Sequence, residues 1–185
     1  MMDKTLRQWI VQVIRQHESM LRIAIRQRAK FEGWLKFELA AIAEINGATV
    51  VEVETSSDQS ESRTRADLSF VYEEKKYDVE LKTPNSNWRM AGVINAHRPI
   101  TKNIFGVIQD TLKLRISSKN GLVAFVLFPI ASDDNQWKEY IQRIAFETQL
   151  PLTAQDNCER ISVSLGERDK ADLIVCVFSV LQADH

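Results

Sequence analysis

A chain of 185 residues, 44% apolar and 26% charged, has the size and balance of one globular domain with a single sizeable core. Its longest apolar run, residues 122–131, is too short to cross a bilayer. The three histidines, His17, His97 and His185, argue against a histidine-built zinc site, and Cys158 and Cys176, without CxxC spacing, read as buried thiols rather than ligands or a disulfide. The N-terminus is charged and helical in pattern rather than apolar, so no signal peptide is expected, and a cytoplasmic protein without a membrane partner is the simplest account. The net charge of −1 hides an asymmetry: residues 1–30 carry seven basic against two acidic residues, and residues 84–120 carry six against one. Two basic segments therefore bracket an acidic middle, the charge pattern of a phosphate-backbone binder with a cation at its centre. A solvated amphipathic helix plus an ordinary basic loop gives the same pattern.

In chain order, residues 3–30 repeat apolar positions at helical spacing, with Trp9, Ile10, Val13, Ile14, Leu21 and Ile25 on one side and arginines on the other. Such a helix packs on its own domain, pairs with a second copy or lies along nucleic acid. A second helix is expected over residues 31–45, stopped by Asn46-Gly47, with Phe31, Trp34, Leu35, Ile42 and Ile45 as its apolar stripe. Glu38 stands inside that stripe, four residues from Trp34 and from Ile42. Residues 49–55 alternate as a strand, and residues 56–65, without a large apolar side chain, read as a loop ending in Arg63 and Arg65.

Residues 65–83 read as a β-hairpin around which the rest is organised. Leu68, Phe70 and Tyr72 alternate with Asp67 and Ser69, and Tyr77, Val79 and Leu81 alternate with Asp78, Glu80 and Lys82. A two- or four-residue turn among the four charged residues between Tyr72 and Tyr77 is expected to set Asp67 opposite Lys82 and Ser69 opposite Glu80. Asp67, Glu80 and Lys82 then share one face. Two carboxylates at diagonal positions, with β-carbons roughly 7–8 Å apart, suit a shared hard cation such as Mg²⁺. A lysine beside them is placed to orient a water, lower its pKa or stabilise charge on a phosphate. A solvated hairpin face with a Lys82–Asp67 salt bridge is the bland alternative.

Pro84 ends the second hairpin strand, and residues 85–99 form a long connection bearing Trp88, Arg89, His97 and Arg98, either a substrate-contacting loop or a surface loop with Trp88 tucked inward. A helix is expected over residues 101–116 with Ile104, Phe105, Ile108, Leu112 and Ile116 inward and Gln109 beside them. Residues 121–128 are unbroken apolar, as in a strand covered on both faces. A helix over residues 132–149 and strands near 160–165 and 172–181 complete the chain.

Asp67, followed at the end of an apolar strand by Glu80-Leu81-Lys82, resembles the signature of the PD-(D/E)XK nuclease superfamily, although Ala66 rather than proline precedes the aspartate. The resemblance covers residues 31–130 and implies an α/β, restriction-endonuclease-like fold: a mixed central sheet of about six strands flanked by helices. Residues 1–30 would add an N-terminal amphipathic helix, and residues 131–185 a helix and two strands completing the same domain. It further implies a Mg²⁺-dependent endonuclease, with Mn²⁺ as a substitute, hydrolysing phosphodiester bonds in DNA. Asp67, Glu80 and the backbone carbonyl of Leu81 would hold the metal, Lys82 would act on the attacking water, and Glu38 would bind a second ion or the metal's water. A buried salt bridge from Glu38 to Lys82 or an arginine is the competing reading, and Gln109 is a further candidate from the corresponding helix of some branches. Arg63, Arg65, Arg89, Arg98 and Lys102 are the candidate phosphate contacts, and a homodimer joined through the N-terminal helix is expected. The rival class is a non-catalytic nucleic-acid- or protein-binding subunit on the same fold.

Overall fold

The computed structural model describes residues 2–56, 65–86, 88–94, 100–167 and 169–180, the side chains of Thr55, Ser56 and Arg65 left aside. In order the elements are α1 (Met2–Gln16), α2 (Glu18–Gln27), α3 (Glu32–Ile45), β1 (Thr49–Ser56), β2 (Arg65–Tyr72), β3 (Lys75–Lys82), α4 (Ile100–Ser117), β4 (Gly121–Ile130), α5 (Trp137–Thr148), the single turn α6 (Ala154–Asn157), β5 (Cys158–Ser164) and β6 (Lys170–Val180). The fold is α/β: six strands form one mixed sheet in the order β1-β2-β3-β4-β6-β5, with helices on both faces. Only β3 and β4 run parallel; the other four neighbouring pairs are antiparallel.

Alternation along the strands feeds two cores. Leu68, Phe70, Val79, Leu81, Leu122, Ala124, Val126 and Phe128 pack with α1, α2 and α3. Val123, Phe125, Leu127, Ile174, Cys176 and Phe178 pack on the other face with α4 and α5. Every residue of β4 is buried, which is why its sequence shows no alternation.

The long N-terminal helix is broken at His17. α1 packs on β6 and α2 on β5, so the break lets the chain follow the twist of the sheet. Leu6, Trp9, Ile10, Val13 and Ile14 are buried in the chain's own core, so the stripe expected to receive a second copy is already covered. Both interior helices are rotated from expectation. In α3 the buried face runs through Leu35, Lys36, Leu39, Ile42 and Ala43, whereas Ile45 is exposed. In α4 it runs through Ile104, Val107, Ile108, Thr111 and Leu114, whereas Phe105 and Ile116 are exposed. In both helices apolar residues stand on more than one side, and stripe counting cannot choose among them.

The hairpin forms on a two-residue turn, Glu73-Glu74, with Ser69 opposite Asp78 and Phe70 opposite Tyr77. The pairing is displaced by two residues from the expected one, since only a four-residue turn would set Ser69 against Glu80. Parity is preserved, so Asp67, Glu80 and Lys82 still share a face. Glu73 and Glu74 both hold positive φ, 49° and 63°, as a tight hairpin of this hand requires. Glutamate pays a steric penalty there that Asn-Gly avoids. Replacing the pair by Asn-Gly should therefore stabilise the fold by about 1 kcal/mol, read from urea denaturation. A loss of stability would mean that the two glutamates make a compensating contact.

Candidate active site

The β2–β3 pairing ends at Leu68 opposite Val79, and on the Asp67 side of it the two strands part company. β2 stays with β1, where Ala66 pairs with Thr55, while β3 stays with β4, where Glu80 pairs with Val123 and Lys82 with Phe125. Asp67 stands in this fork. Its Oδ2 accepts the Leu81 backbone N–H at 2.9 Å, replacing a ladder hydrogen bond that the departing strand no longer supplies. Within a strand a residue's N–H and C=O leave on the same side, so the Leu81 carbonyl also faces the fork.

Charged side chains close on this point from both faces of the sheet. From α3, Lys36 sets its ammonium 2.8 Å from Asp67 Oδ1 and 3.3 Å from Glu54 Oε1. One turn earlier on that helix, Glu32 accepts the Thr83 backbone N–H at 3.2 Å. From α4, Asp110 holds the Lys82 ammonium at 3.0 Å. Lower on the same strand face, Asp78 accepts the hydroxyls of Ser69 and Ser118, each at 2.7 Å.

Glu80 has only 7% of its surface exposed. Burial, then the negative charges of Asp67 and Asp110, push its carboxyl up to about 8, against the weaker pull of Lys82 and Lys113. At neutral pH it therefore carries a proton. Lys82 behaves oppositely: burial works to lower its pKa, but Asp110, Glu32 and Asp67 together raise it, so it remains an ammonium. Lys36 is likewise held charged, because its bonds to Asp67 and Glu54 outweigh its burial.

Two carboxylates and a carbonyl oxygen form a hard donor set, and Glu80 is neutral because it is buried and because Asp67 and Asp110 add negative charge that the lysines offset only in part. A divalent cation would relieve that excess, so the residues fit one. Among the described residues no three His, Cys, Asp or Glu side chains gather into a metal cage, but Mg²⁺ typically takes only one or two carboxylates and keeps its waters.

The other candidates fall as follows. Glu38 lies on a different side of α3, 3.3 Å from His17 Nε2, because the helix is rotated so that Lys36 and Glu32 meet the fork. It is therefore neither a neighbour of Asp67 nor a partner of Lys82. Gln109 is exposed, and the adjacent Asp110 is the α4 residue that reaches the site. Arg89 and Lys102 are exposed on the surface. Arg63, Arg98 and the side chain of Arg65 lie outside the described residues. Four participants, Lys36, Glu54, Glu32 and Asp110, were not anticipated. Lys36 had a signal as the one cation within an otherwise apolar-rich stretch of α3, and Asp110 as the sole acid among residues 84–120. Glu32 had none. Among the described residues no helix is long and apolar enough to cross a membrane. Set beside known proteins, the chain matches no protein-family model, no curated protein and no solved structure.

Proposed function

We propose that this chain is a Mg²⁺-dependent nuclease of the PD-(D/E)XK type with a restriction-endonuclease-like core, hydrolysing phosphodiester bonds in DNA. The observation that carries the reading is the pair Asp67 and Glu80 at the opening between β2 and β3, with Lys82 two residues on along the same face. The order α3, antiparallel β1-β2-β3, α4 and then β4 supports it, since the core of that superfamily runs helix, three antiparallel strands, helix, strand.

When bound by Asp67, Glu80 and the Leu81 carbonyl, the cation supplies Lewis-acid polarisation and a water of lowered pKa. Glu80 must release its proton to become a ligand, so metal affinity should rise with pH up to about 8. Lys82 stays protonated beside Asp110, which suits it to stabilise negative charge developing on the phosphate rather than to accept a proton from water. Asp110 fixes the direction of that ammonium. Glu32 anchors the strand end through the Thr83 N–H. Lys36 occupies a cation position on Asp67 and must yield Oδ1 to a metal.

The Lys36 contact also favours the second reading, a binding subunit in which ion pairs have replaced metal chemistry. Calorimetric Mg²⁺ titration separates the two. In the nuclease reading the wild type binds Mg²⁺, Asp67→Asn loses most of that affinity, and Lys36→Met gains about tenfold because the competing ammonium is gone. Absence of Mg²⁺ binding in both the wild type and Lys36→Met would favour the binding subunit.

A further inference from the structure

Beyond Lys82 the chain stays extended beside β4 in unchanged register. Asn85 bridges Phe128, and the Ser86 N–H reaches the Phe128 carbonyl at 2.8 Å. Ser86 thus lies about 13 Å past Lys82 at 3.3 Å per residue, on the same face of the sheet. There a cleft of about 350 Å³ opens between Ser86, Trp88 and Arg89 and the start of α5. Trp88 and Arg89 stand on one side, with Gln136, Tyr140 and Asp134 on the other. That volume lies at the small end of the usual range for small-molecule sites.

Both walls are held in place. The buried Arg28 guanidinium donates to the carbonyls of Ser86, Trp88 and Ile94, and the Trp88 N–H donates to Ser86 Oγ at 3.3 Å. Opposite, Asp134 Oδ1 accepts the Gln136 N–H at 2.7 Å, and the Arg160 guanidinium donates to the carbonyls of Ser132 and Asp134. Fixing an aromatic residue from behind with a buried arginine limits the ordering that a ligand would otherwise have to impose.

The chemistry of the lining selects among ligands. Trp88 and Tyr140 offer apolar ring surface, Gln136 an amide with both donors and acceptors, and Asp134 an acceptor. The neighbouring cleft, which shares Trp88, is lined by Asp133, Asp134 and Glu139, so a phosphate group is disfavoured inside. A planar ring with N–H groups on its edge fits, with its phosphate left outside near the exposed Arg89. We propose that this cleft binds one unpaired nucleobase of the substrate strand, a few nucleotides from the bond cut at Asp67 and Glu80. The assignment rests on the nucleic-acid reading above and deepens it by placing base recognition on Trp88, Gln136 and Tyr140. Stacking of a base on an aromatic side chain and hydrogen bonding along the base edge are the means by which single-stranded nucleic acid is recognised.

The test uses the full chain without metal, titrated with each of the four deoxynucleoside 5′-monophosphates and followed through backbone amide N–H signals in NMR spectra. Wild type should bind at least one nucleotide, Trp88→Phe should keep that binding, and Trp88→Ala should weaken it about tenfold or more. Gln136→Ala should change the ranking of the four bases more than the average affinity. Failure of the catalytic reading alone would appear as wild type that binds nucleotides in this cleft yet cleaves no DNA with Mg²⁺. Equal binding by wild type and Trp88→Ala, or wild-type signals that respond to tetramethylammonium and to no nucleotide, would overturn the proposal.

Discussion

Glu80→Gln should make the protein more stable at pH 8 while abolishing the proposed cleavage. Folded Glu80 titrates near 8, whereas in the unfolded chain it returns to the usual carboxyl value near 4.5. Between those values the folded state holds a proton that the unfolded state has released, so stability falls as pH rises, by at most about 1.4 kcal/mol per pH unit. Below about pH 4.5 both states are protonated and the cost is absent; above about pH 8 all of it is present. Glutamine keeps the shape of the neutral acid without this dependence. The gain of the variant over wild type should therefore be slight at pH 5 and about 1–3 kcal/mol at pH 8, or roughly 2–4 °C in Tm per kcal/mol for a chain of this length. Added Mg²⁺ should raise the Tm of wild type at pH 8 and leave the variant unmoved, and cleavage should drop by about 10²–10³-fold or more. Parallel Tm–pH curves for the two proteins would show that Glu80 is ionised in the fold and that its burial carries no strain.

Arg28→Ala should be among the most damaging single substitutions in the chain. Arg28 is 1% exposed, and burial lowers its pKa, yet a guanidinium stays charged under all ordinary conditions. Its three carbonyl partners span Ser86 to Ile94, so one side chain ties the whole described part of the connection after β3 to the end of α2. Alanine would leave those carbonyls without a donor at about 1–3 kcal/mol each, less whatever water recovers, for an expected loss of about 3–5 kcal/mol in denaturant unfolding. Arg28→Lys should rescue little, since an ammonium cannot reproduce the planar fork that meets three separate carbonyls. Hydrogen exchange should accelerate at the Ser86 and Ile94 amides, which bond to Phe128 and Arg26, before it does so in β4. A loss below about 1 kcal/mol, with exchange unchanged, would show that the segment is held by other contacts.

The sequence made the strands legible because alternation has a fixed period and one buried face. The hairpin, the buried β4 and the shared face of Asp67, Glu80 and Lys82 all follow from that period. The turn length did not follow, since Glu73-Glu74 lacks the Asn-Gly signature that would have marked a two-residue loop, and so the cross-strand partners were displaced by two. Helix facing was less legible still. In α3, Trp34, Phe37 and Ile45 compete with Leu35, Leu39 and Ile42 for the apolar side, and a rotation of about one residue exchanges Glu38 for Lys36 at the fork. Asp110 joined Lys82 for the same reason, through the facing of α4. The ion-pair partners of a strand site are set by packing between elements, which a one-dimensional pattern does not encode.

Asp67, Glu80 and Lys82 are proposed to form a metal-dependent phosphodiesterase site. Supercoiled plasmid incubated with purified protein, with and without millimolar Mg²⁺, decides whether they do. Wild type should convert plasmid to nicked or linear product only with the metal, while Asp67→Asn and Glu80→Gln should leave it intact. Lys82→Ala should bind DNA yet cut far more slowly. Cleavage that persists in Asp67→Asn and Glu80→Gln, or none by wild type with Mg²⁺ or Mn²⁺ on single- or double-stranded DNA, would contradict it.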